Sequence, residues 1–239
     1  RSTASTFFFL NLLLVGMVGV IVARDLVVFL LAWELMSVAA FFLVVFEDEK
    51  PEVRQAGWTY LVATHLGTAF LLAFFLILSA KSGQTDFLSI QGLGLTEYAK
   101  GGLFLLALIG FGTKAGFLPL HVWLPEAHPA APSHVSALMS GVMIKTGIYG
   151  LLRAIQILGV PAGWWSGLLL AIGLTSGLLG ILQATVQHDL KRLLAYSSVE
   201  NIGIIALGLG VGLYGMNSGL PITAVLGFAG ALFHVLNHA

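Results

Sequence analysis

Long apolar stretches separated by short polar ones dominate this chain. A helix needs about 20 apolar residues to cross the hydrocarbon core of a membrane. Residues 5–46 are apolar for about twice that length. The adjacent charges Arg24 and Asp25 interrupt them midway, and the polar stretch 47–54 (EDEKPEVR) follows. This pattern predicts two spans joined by a tight turn.

The rest of the sequence predicts six further spans. Residues 81–100 are mixed and polar, which predicts a loop, with or without a short surface helix. The result is one all-α domain over residues 1–239, a transmembrane bundle of about eight spans. The six further spans are expected at residues 55–80, 101–118, 133–158 and 164–186, at 190–213, and from 221 onward.

A proline-rich segment separates the fourth predicted span from the fifth. Residues 119–132 hold four of the seven prolines. Proline lacks an amide donor and clashes with the preceding helical turn, so we expect no regular helix here. Broken backbone within a membrane is tolerated only where protein or water satisfies its polar groups. A hydrated cavity that supplies a proton route is therefore expected beside Lys114, just before this break.

Composition supports the membrane interpretation and excludes several functions. Hydrophobic residues make up 58% of the chain and charged residues 9%, whereas soluble domains carry about 25% charged residues. The net charge is zero and no basic patch is visible, which argues against nucleic-acid binding. The absence of cysteine excludes cysteine-ligated iron–sulfur or zinc centres in this chain. We expect no cofactor. The missing initiator Met and the apolar end at Ala239 suggest that both ends are cuts in a longer protein.

Three charged residues lie inside apolar segments. Glu34 is in LLAWELMS, Lys114 in FGTKAGF and Lys145 in GVMIKTGIYG. Each costs about 2.5–3.5 kcal/mol at the centre of a span on insertion scales, and such residues usually mark ion or proton paths. A lysine whose proton affinity changes with the position of a carboxylate can load and release a proton. A structural ion pair, or a lysine reaching to the interface, is the alternative.

Other titratable residues are weaker candidates for a relay. His65 lies within a predicted span, and His234 and His238 share a helix face because they are four residues apart. Glu200 also lies within a span, where a role in helix packing is the alternative. A histidine bonded to a backbone carbonyl is the alternative for His65.

Two polar clusters are interpreted more simply. The spacing of His121, Glu126 and His128 fits no common zinc pattern, so we expect no metal site, although His121 stays a candidate relay. Asp189, Lys191 and Arg192 predict an ordinary solvated helix start.

The motif from Phe111 to Arg153 resembles the antiporter-like membrane subunits of respiratory complex I, Mrp-type sodium/proton antiporters and membrane-bound NiFe hydrogenases. It reads FGTKAGFLPLHVWLPEAHPAAPSHVSALMSGVMIKTGIYGLLR. The segments LLAWELMS and DLKRLLAYSSVENIG resemble other parts of that family, so the likeness covers nearly the whole chain. HLGTAF and YSSVENIG are most similar to the large membrane subunit of the formate-hydrogenlyase and hydrogenase-4 group.

The resemblance implies roles for the charged residues. Glu34 would pair with and modulate Lys114 of the broken helix, and Lys145 would be the onward step. His234 and His238 would continue the path towards a charged residue beyond Ala239. Family members have roughly fourteen spans with two inverted repeats.

Three functions remain open at this point. The first is a proton-translocating subunit of a redox-driven complex of the NADH:quinone oxidoreductase or NiFe hydrogenase type, with no redox centre of its own. Its partners would be other membrane subunits and a peripheral redox arm in the cell inner membrane. The second is a subunit of a sodium/proton antiporter. The third is a passive membrane anchor for a redox arm.

Overall fold

The computed structural model describes residues 3–90, 93–159 and 161–239, and most of them are helical. Within these ranges the β-structure is an isolated bridge between Asp25 and Asp86, so the predicted all-α fold is confirmed. In chain order the helices are α1 (Thr3–Val22), α2 (Leu26–Val44), α3 (Pro51–Ser82), α4 (Glu97–Ala115), α5 (Leu124–Ala130), α6 (Ser133–Leu138), a π-helical segment (Met139–Met143), α7 (Ile144–Leu158), α8 (Gly163–Thr185), α9 (Leu190–Asn217) and α10 (Pro221–Asn237).

Six helical stretches in the described part are long and apolar enough to cross a membrane. They are α1, α2, α3, α8, α9, and the continuous helical stretch Ser133–Leu158, which comprises α6, the π-helical segment and α7. The other two predicted spans are present as helices but do not reach this standard. α10 has 17 residues, and the 19 residues of α4 include Glu97, Lys100 and Lys114.

The predicted tight turn between the first two spans is confirmed. α1 ends at Val22 and α2 begins at Leu26. The Asp25 carboxylate caps α2 by accepting hydrogen bonds from the amides two and three residues later, at 2.8 and 3.2 Å. The loop after α3 returns to this turn, where the Phe87 amide donates to the Arg24 carbonyl at 2.8 Å. No surface helix occurs in the described loop residues 83–90 and 93–96.

The proline-rich segment contains one short helix, so the expectation of no regular helix over residues 119–132 is wrong in its middle. α5 occupies Leu124–Ala130. Pro125 lies in the first turn of α5, where an amide has no partner within the helix. Pro129 lies one residue before the end, so its missing amide interrupts little. The break itself is confirmed, because α4 ends at Ala115 and the chain then runs through turns as far as α5.

Close packing joins the two helices that carry the buried lysines. α4 packs against both α3 and α7. At Gly147 of α7 an added Cβ would lie only 2.6 Å from the Phe111 carbonyl oxygen and 2.7 Å from the Ala115 amide nitrogen of α4. Glycine therefore allows the backbones of α4 and α7 to touch.

Candidate functional site

Lys114 lies at the C-terminal end of α4 and is 2% exposed. Its Nζ donates hydrogen bonds to the Ser37 hydroxyl at 2.7 Å and to the Tyr60 hydroxyl at 3.4 Å. It also lies 5.5 Å from the ring centroids of Trp33 and Tyr60, which is within cation–π range. Hydroxyl and aromatic groups of α2 and α3 therefore surround the amine.

These hydroxyl groups are themselves fixed in place. Ser37 donates to the Trp33 carbonyl at 2.8 Å, one turn back on α2. Tyr60 donates to the Ser37 carbonyl at 3.2 Å. Each oxygen can therefore accept from Lys114 while its own hydrogen is already bonded, which orients the acceptors towards the amine.

Glu34 lies one helical turn before Ser37 on α2, and its carboxylate faces α3. It accepts a hydrogen bond from Thr68 at 2.5 Å, and His65 Nε2 lies 3.3 Å from its second oxygen. The side chains of Glu34 and His65 are 32% and 48% exposed. No ion pair joins Glu34 to Lys114 among the described residues. Glu34 and Lys114, the two predicted partners, therefore have separate sets of contacts. Ser37 links the two sets, because it lies one turn from Glu34 on α2 and accepts a hydrogen bond from Lys114.

Side chains satisfy the backbone groups that the break after α4 leaves without helical partners. Gly116 ends the helix in a left-handed conformation with φ of 86°. The Leu118 amide donates to the hydroxyl of Ser176, on α8, at 3.0 Å. The Trp123 indole donates to the Thr113 carbonyl at 2.8 Å. Irregular backbone within a membrane needs hydrogen-bond partners for its polar groups, and these contacts provide them.

Lys145 is the second residue of α7, and a second group of polar contacts surrounds it. It is 8% exposed, and its Nζ donates to the Ser140 carbonyl within the π-helical segment. The same nitrogen lies 2.7 Å from His238 Nδ1 and donates to the His238 carbonyl at 3.1 Å. The structure therefore brings together Lys145 and His238, two of the predicted path residues.

A cavity of about 570 Å³ is lined by polar groups of α6, the π-helical segment and α9, and by His238, which contacts Lys145. Two of its lining residues, Ser140 and Ser198, are hydrogen-bonded to each other, with their hydroxyl oxygens 2.8 Å apart. His128, which is 1% exposed, is bonded through Nδ1 to the Ser136 hydroxyl at 2.7 Å. Its Nε2 is buried without a partner among the described residues. This cavity borders Ser140 and His238, both hydrogen-bond partners of Lys145, whereas Lys114 is not among its lining residues, so the hydrated cavity beside Lys114 stays a prediction.

The remaining candidate relay residues differ in their surroundings. His234 Nε2 lies 2.8 Å from the side-chain oxygen of Asn201. His65, besides its contact with Glu34, is bonded to the Leu61 carbonyl at 2.9 Å, so the backbone-bonded alternative also describes it. Within the described ranges Glu200 forms no hydrogen bond or ion pair. His121 packs near the Tyr196 ring, with centroids 6.3 Å apart, and its buried Nδ1 has no partner there.

Asp189 and Lys191 at the start of α9 behave differently. Asp189 caps the helix by accepting from the Arg192 amide at 2.8 Å, as an ordinary helix start requires. Lys191, however, donates to the Ala131 carbonyl at 2.7 Å and lines the cavity, so the expectation of a merely solvated charge is wrong for it. The proline-rich segment leaves that carbonyl available to a side chain. In the described part of the chain, no three His, Asp or Glu side chains gather as a metal site.

Sequence reasoning missed the neutral residues that hold the charged ones. Hydroxyl groups cost little in an apolar helix, because they can bond to the preceding turn, so their presence there gives no signal. The spacing of Ser37, three residues after Glu34 and therefore on the same face, is the signal that could have identified it. All the neutral residues whose contacts at the site were missed are Ser37, Tyr60, Thr68, Trp123, His128, Ser136, Ser140, Ser176 and Ser198.

Comparisons with known proteins agree with the predicted resemblance. A family model described as NADH:quinone oxidoreductase/Mrp antiporter, TM, matches residues 23–239. Hydrogenase-4 component B of Escherichia coli (strain K12) is 45% identical over 242 residues, covering 100% of this chain and 36% of that protein. Formate hydrogenlyase subunit 3 of the same strain is 36% identical over 231 residues, covering 96% of this chain and 37% of that protein.

The fold is also similar to that of a protein of known structure. A chain in the structure of the Mrp complex from Dietzia sp. DQ12-45-1b superposes with a TM-score of 0.80 at 29% identity. The match covers 95% of this chain and 25% of that one. This chain thus spans little more than a third of the length of the curated relatives above. It is a multi-pass membrane protein, and it belongs to the NADH:quinone oxidoreductase/Mrp antiporter family of transmembrane proteins.

Proposed function

We propose that this chain is part of a proton-translocating membrane subunit of a redox-driven complex in the cell inner membrane. Other membrane subunits and a peripheral redox arm would be its partners, and the arm would hold the redox centres. The proposal follows the hydrogenase and formate hydrogenlyase relatives. Lys114 and Lys145 would carry the proton, Glu34 would modulate Lys114, and His238 would be the next group after Lys145.

The surroundings of Lys114 are the observation that carries this proposal. A lysine buried for structural reasons is usually paired with a carboxylate, since an unpaired buried charge is costly. Lys114 instead has two hydroxyl partners and two aromatic rings. Hydroxyl oxygens accept a hydrogen bond from either a charged or a neutral amine, so the site tolerates both protonation states. A group that exchanges protons needs that tolerance.

The position of Glu34 provides a means of control. Its carboxylate is on the same helix as Ser37, one turn away. It accepts a hydrogen bond from Thr68 on α3 and lies 3.3 Å from His65 Nε2 on the same helix. A small shift of α2 against α3 would change the distance between the carboxylate and the amine. Coulomb energy in a medium of low dielectric constant varies steeply with that distance. Redox-driven movement in partner subunits would act through this shift.

The test is Lys114→Ala in the complete complex, with proton translocation measured per electron transferred in sealed vesicles. We expect electron transfer to continue and the proton yield to fall severalfold or more. Lys81→Ala, which removes an exposed lysine at the end of α3, is the matched control and should leave the yield unchanged. Full proton yield in assembled Lys114→Ala complex would contradict the proposal and favour a passive anchor.

Exchange of sodium for protons is the second candidate, and the likeness to a chain of the Mrp complex supports it. Such a protein would be driven by an ion gradient and would need no electron donor. Vesicles holding the complete assembly, without donor or acceptor, are given a sodium gradient and monitored for proton movement. Sodium-dependent proton exchange that Lys114→Ala abolishes would favour the antiporter. Its absence, together with donor-dependent pumping, would favour the redox-driven complex.

A further inference from the structure

Trp123 lies in the turn segment after α4, and its side chain is completely buried. Its indole nitrogen donates a hydrogen bond to the Thr113 carbonyl at 2.8 Å. That carbonyl needs a partner because of the helix break. In a continuous helix it would accept from the Phe117 amide, but this amide donates to the Gly112 carbonyl at 3.0 Å. Trp123 therefore replaces a helical bond at the residue directly before Lys114.

A second contact of the same side chain reaches Lys114 from the other direction. The rings of Trp123 and Tyr60 meet edge to face, with centroids 5.2 Å apart and an interplanar angle of 68°. The Tyr60 hydroxyl is one of the two that accept from Lys114. Trp123 thus contacts the backbone just before the lysine and the ring of a residue that holds its amine.

We propose that Trp123 is a positioning residue for Lys114. Its N–H group fixes the end of α4, from which the lysine side chain extends, and its ring fixes Tyr60. Both contacts set the place of the amine relative to Ser37 and Glu34. This inference rests on the proposed proton-translocating function, in which that placement determines how efficiently a proton is loaded and passed on.

Trp165 offers a matched control within the same chain. It is also completely buried, and it stacks on Phe104 with ring centroids 4.3 Å apart. Its indole nitrogen has no hydrogen-bond partner among the described residues. Changing either tryptophan to phenylalanine therefore removes the same atoms from a buried site, but only the change at Trp123 breaks a hydrogen bond.

The experiment compares Trp123→Phe with Trp165→Phe in the complete complex, using protons translocated per electron and the dependence of that ratio on pH. A purely structural defect lowers the amount of assembled complex but leaves the ratio of the remainder unchanged. We expect Trp123→Phe to lower the ratio about two- to fivefold and to displace its pH profile, as loss of one buried hydrogen bond would do. Trp165→Phe should match the native protein in both.

Equal ratios and pH profiles for the two variants would overturn the inference. If Trp123→Phe does not assemble, the tryptophan analogue with sulfur in place of the indole N–H keeps the ring shape and removes only the donor. A native ratio with that analogue would equally overturn the inference. Lys114→Ala, measured alongside, tests the function itself: a reduced yield there with a native ratio in Trp123→Phe removes only the role of Trp123.

Discussion

Ser37 and Lys114 form the hydrogen bond that connects α2 to α4 at the centre of the site. The two residues are 77 positions apart in the chain, and their side-chain atoms lie 2.7 Å from each other. Because Ser37 is also one turn from Glu34 on α2, a shift of this helix that moves the carboxylate relative to the amine would also alter this bond.

Removal of the Ser37 hydroxyl should therefore impair proton transfer through Lys114. Ser37→Ala leaves a buried amine with one acceptor fewer, which costs about 1–3 kcal/mol and corresponds to a change of about 5- to 150-fold in an equilibrium constant. We expect a lower proton yield per electron in the complete complex, with electron transfer retained. Ser166→Ala is the control, because among the described residues that buried hydroxyl bonds only to the Gly163 carbonyl, at 2.7 Å. Equal yields for the two variants would disprove the importance of the Ser37 contact.

Gly147 should be intolerant of any side chain. In Gly147→Ala the new methyl group would meet the backbone of α4, which cannot move aside as a flexible side chain could. We expect a loss of about 1–3 kcal/mol in stability, observed as a lower thermal unfolding midpoint of the purified protein. Gly167→Ala is the control, since a Cβ there meets nothing within 4 Å. A native midpoint for Gly147→Ala would show that α4 and α7 are not in contact there.

Asp25, which caps α2, should make the stability of the folded protein depend on pH. A hydrogen bond from Thr85, and then the amides of Val28 and Val27, hold the pKa of the Asp25 carboxyl below its usual value, against the opposing effect of burial. A lowered pKa in the folded state contributes stability that is fully present above the unfolded-state value of 3.8. That contribution is lost as the pH falls through the lower pKa of the folded protein.

We therefore expect Asp25→Ala to lower the unfolding midpoint at pH 7, by an amount equivalent to about 1 kcal/mol. The difference from the native protein should shrink as the pH is lowered from about 4 to about 2. Asp25→Asn keeps a capping oxygen but cannot ionise, so it should retain most of the stability and show less dependence on pH. A constant gap between Asp25→Ala and the native protein over this range would show that the charge of Asp25 does not contribute.

The arrangement of helices was largely predictable because lipid imposes a simple rule on the sequence. Adjacent charges such as Arg24 and Asp25 cannot stay within an apolar span, so their position predicted the turn. The prolines predicted the break after α4, because each lacks an amide donor and clashes with the preceding helical turn. The prolines also predicted that α5 would be absent, which is wrong. The effect of a proline depends on its place in a helix, and the sequence alone does not show where a short helix begins.

The site was predictable in its charged members and in His238, but not in its neutral hydroxyl and aromatic groups. Lys114 and Lys145 are conspicuous because burial of a charge is costly, whereas Tyr60 and Ser198 are unremarkable in any apolar helix. Which hydroxyl meets which amine depends on how α2, α3 and α9 pack, and residues far apart in sequence determine that packing. Lys191 was misjudged for the same reason, since its carbonyl partner belongs to another element.

The π-helical segment Met139–Met143 has a consequence for how this protein can change by mutation. A π-helical turn holds an additional residue compared with an α-helical path, and one residue corresponds to about 100° of rotation around the helix. Because the π-helical segment already takes up this additional residue, loss of a single residue here would restore a continuous α-helix and leave its two halves close to their present orientation. Ser136 would keep its orientation towards His128, and Lys145 its orientation towards His238. Single-residue deletions should therefore be better tolerated in this segment than in the regular α-helical turns of α7, where each would rotate the following residues by about 100°.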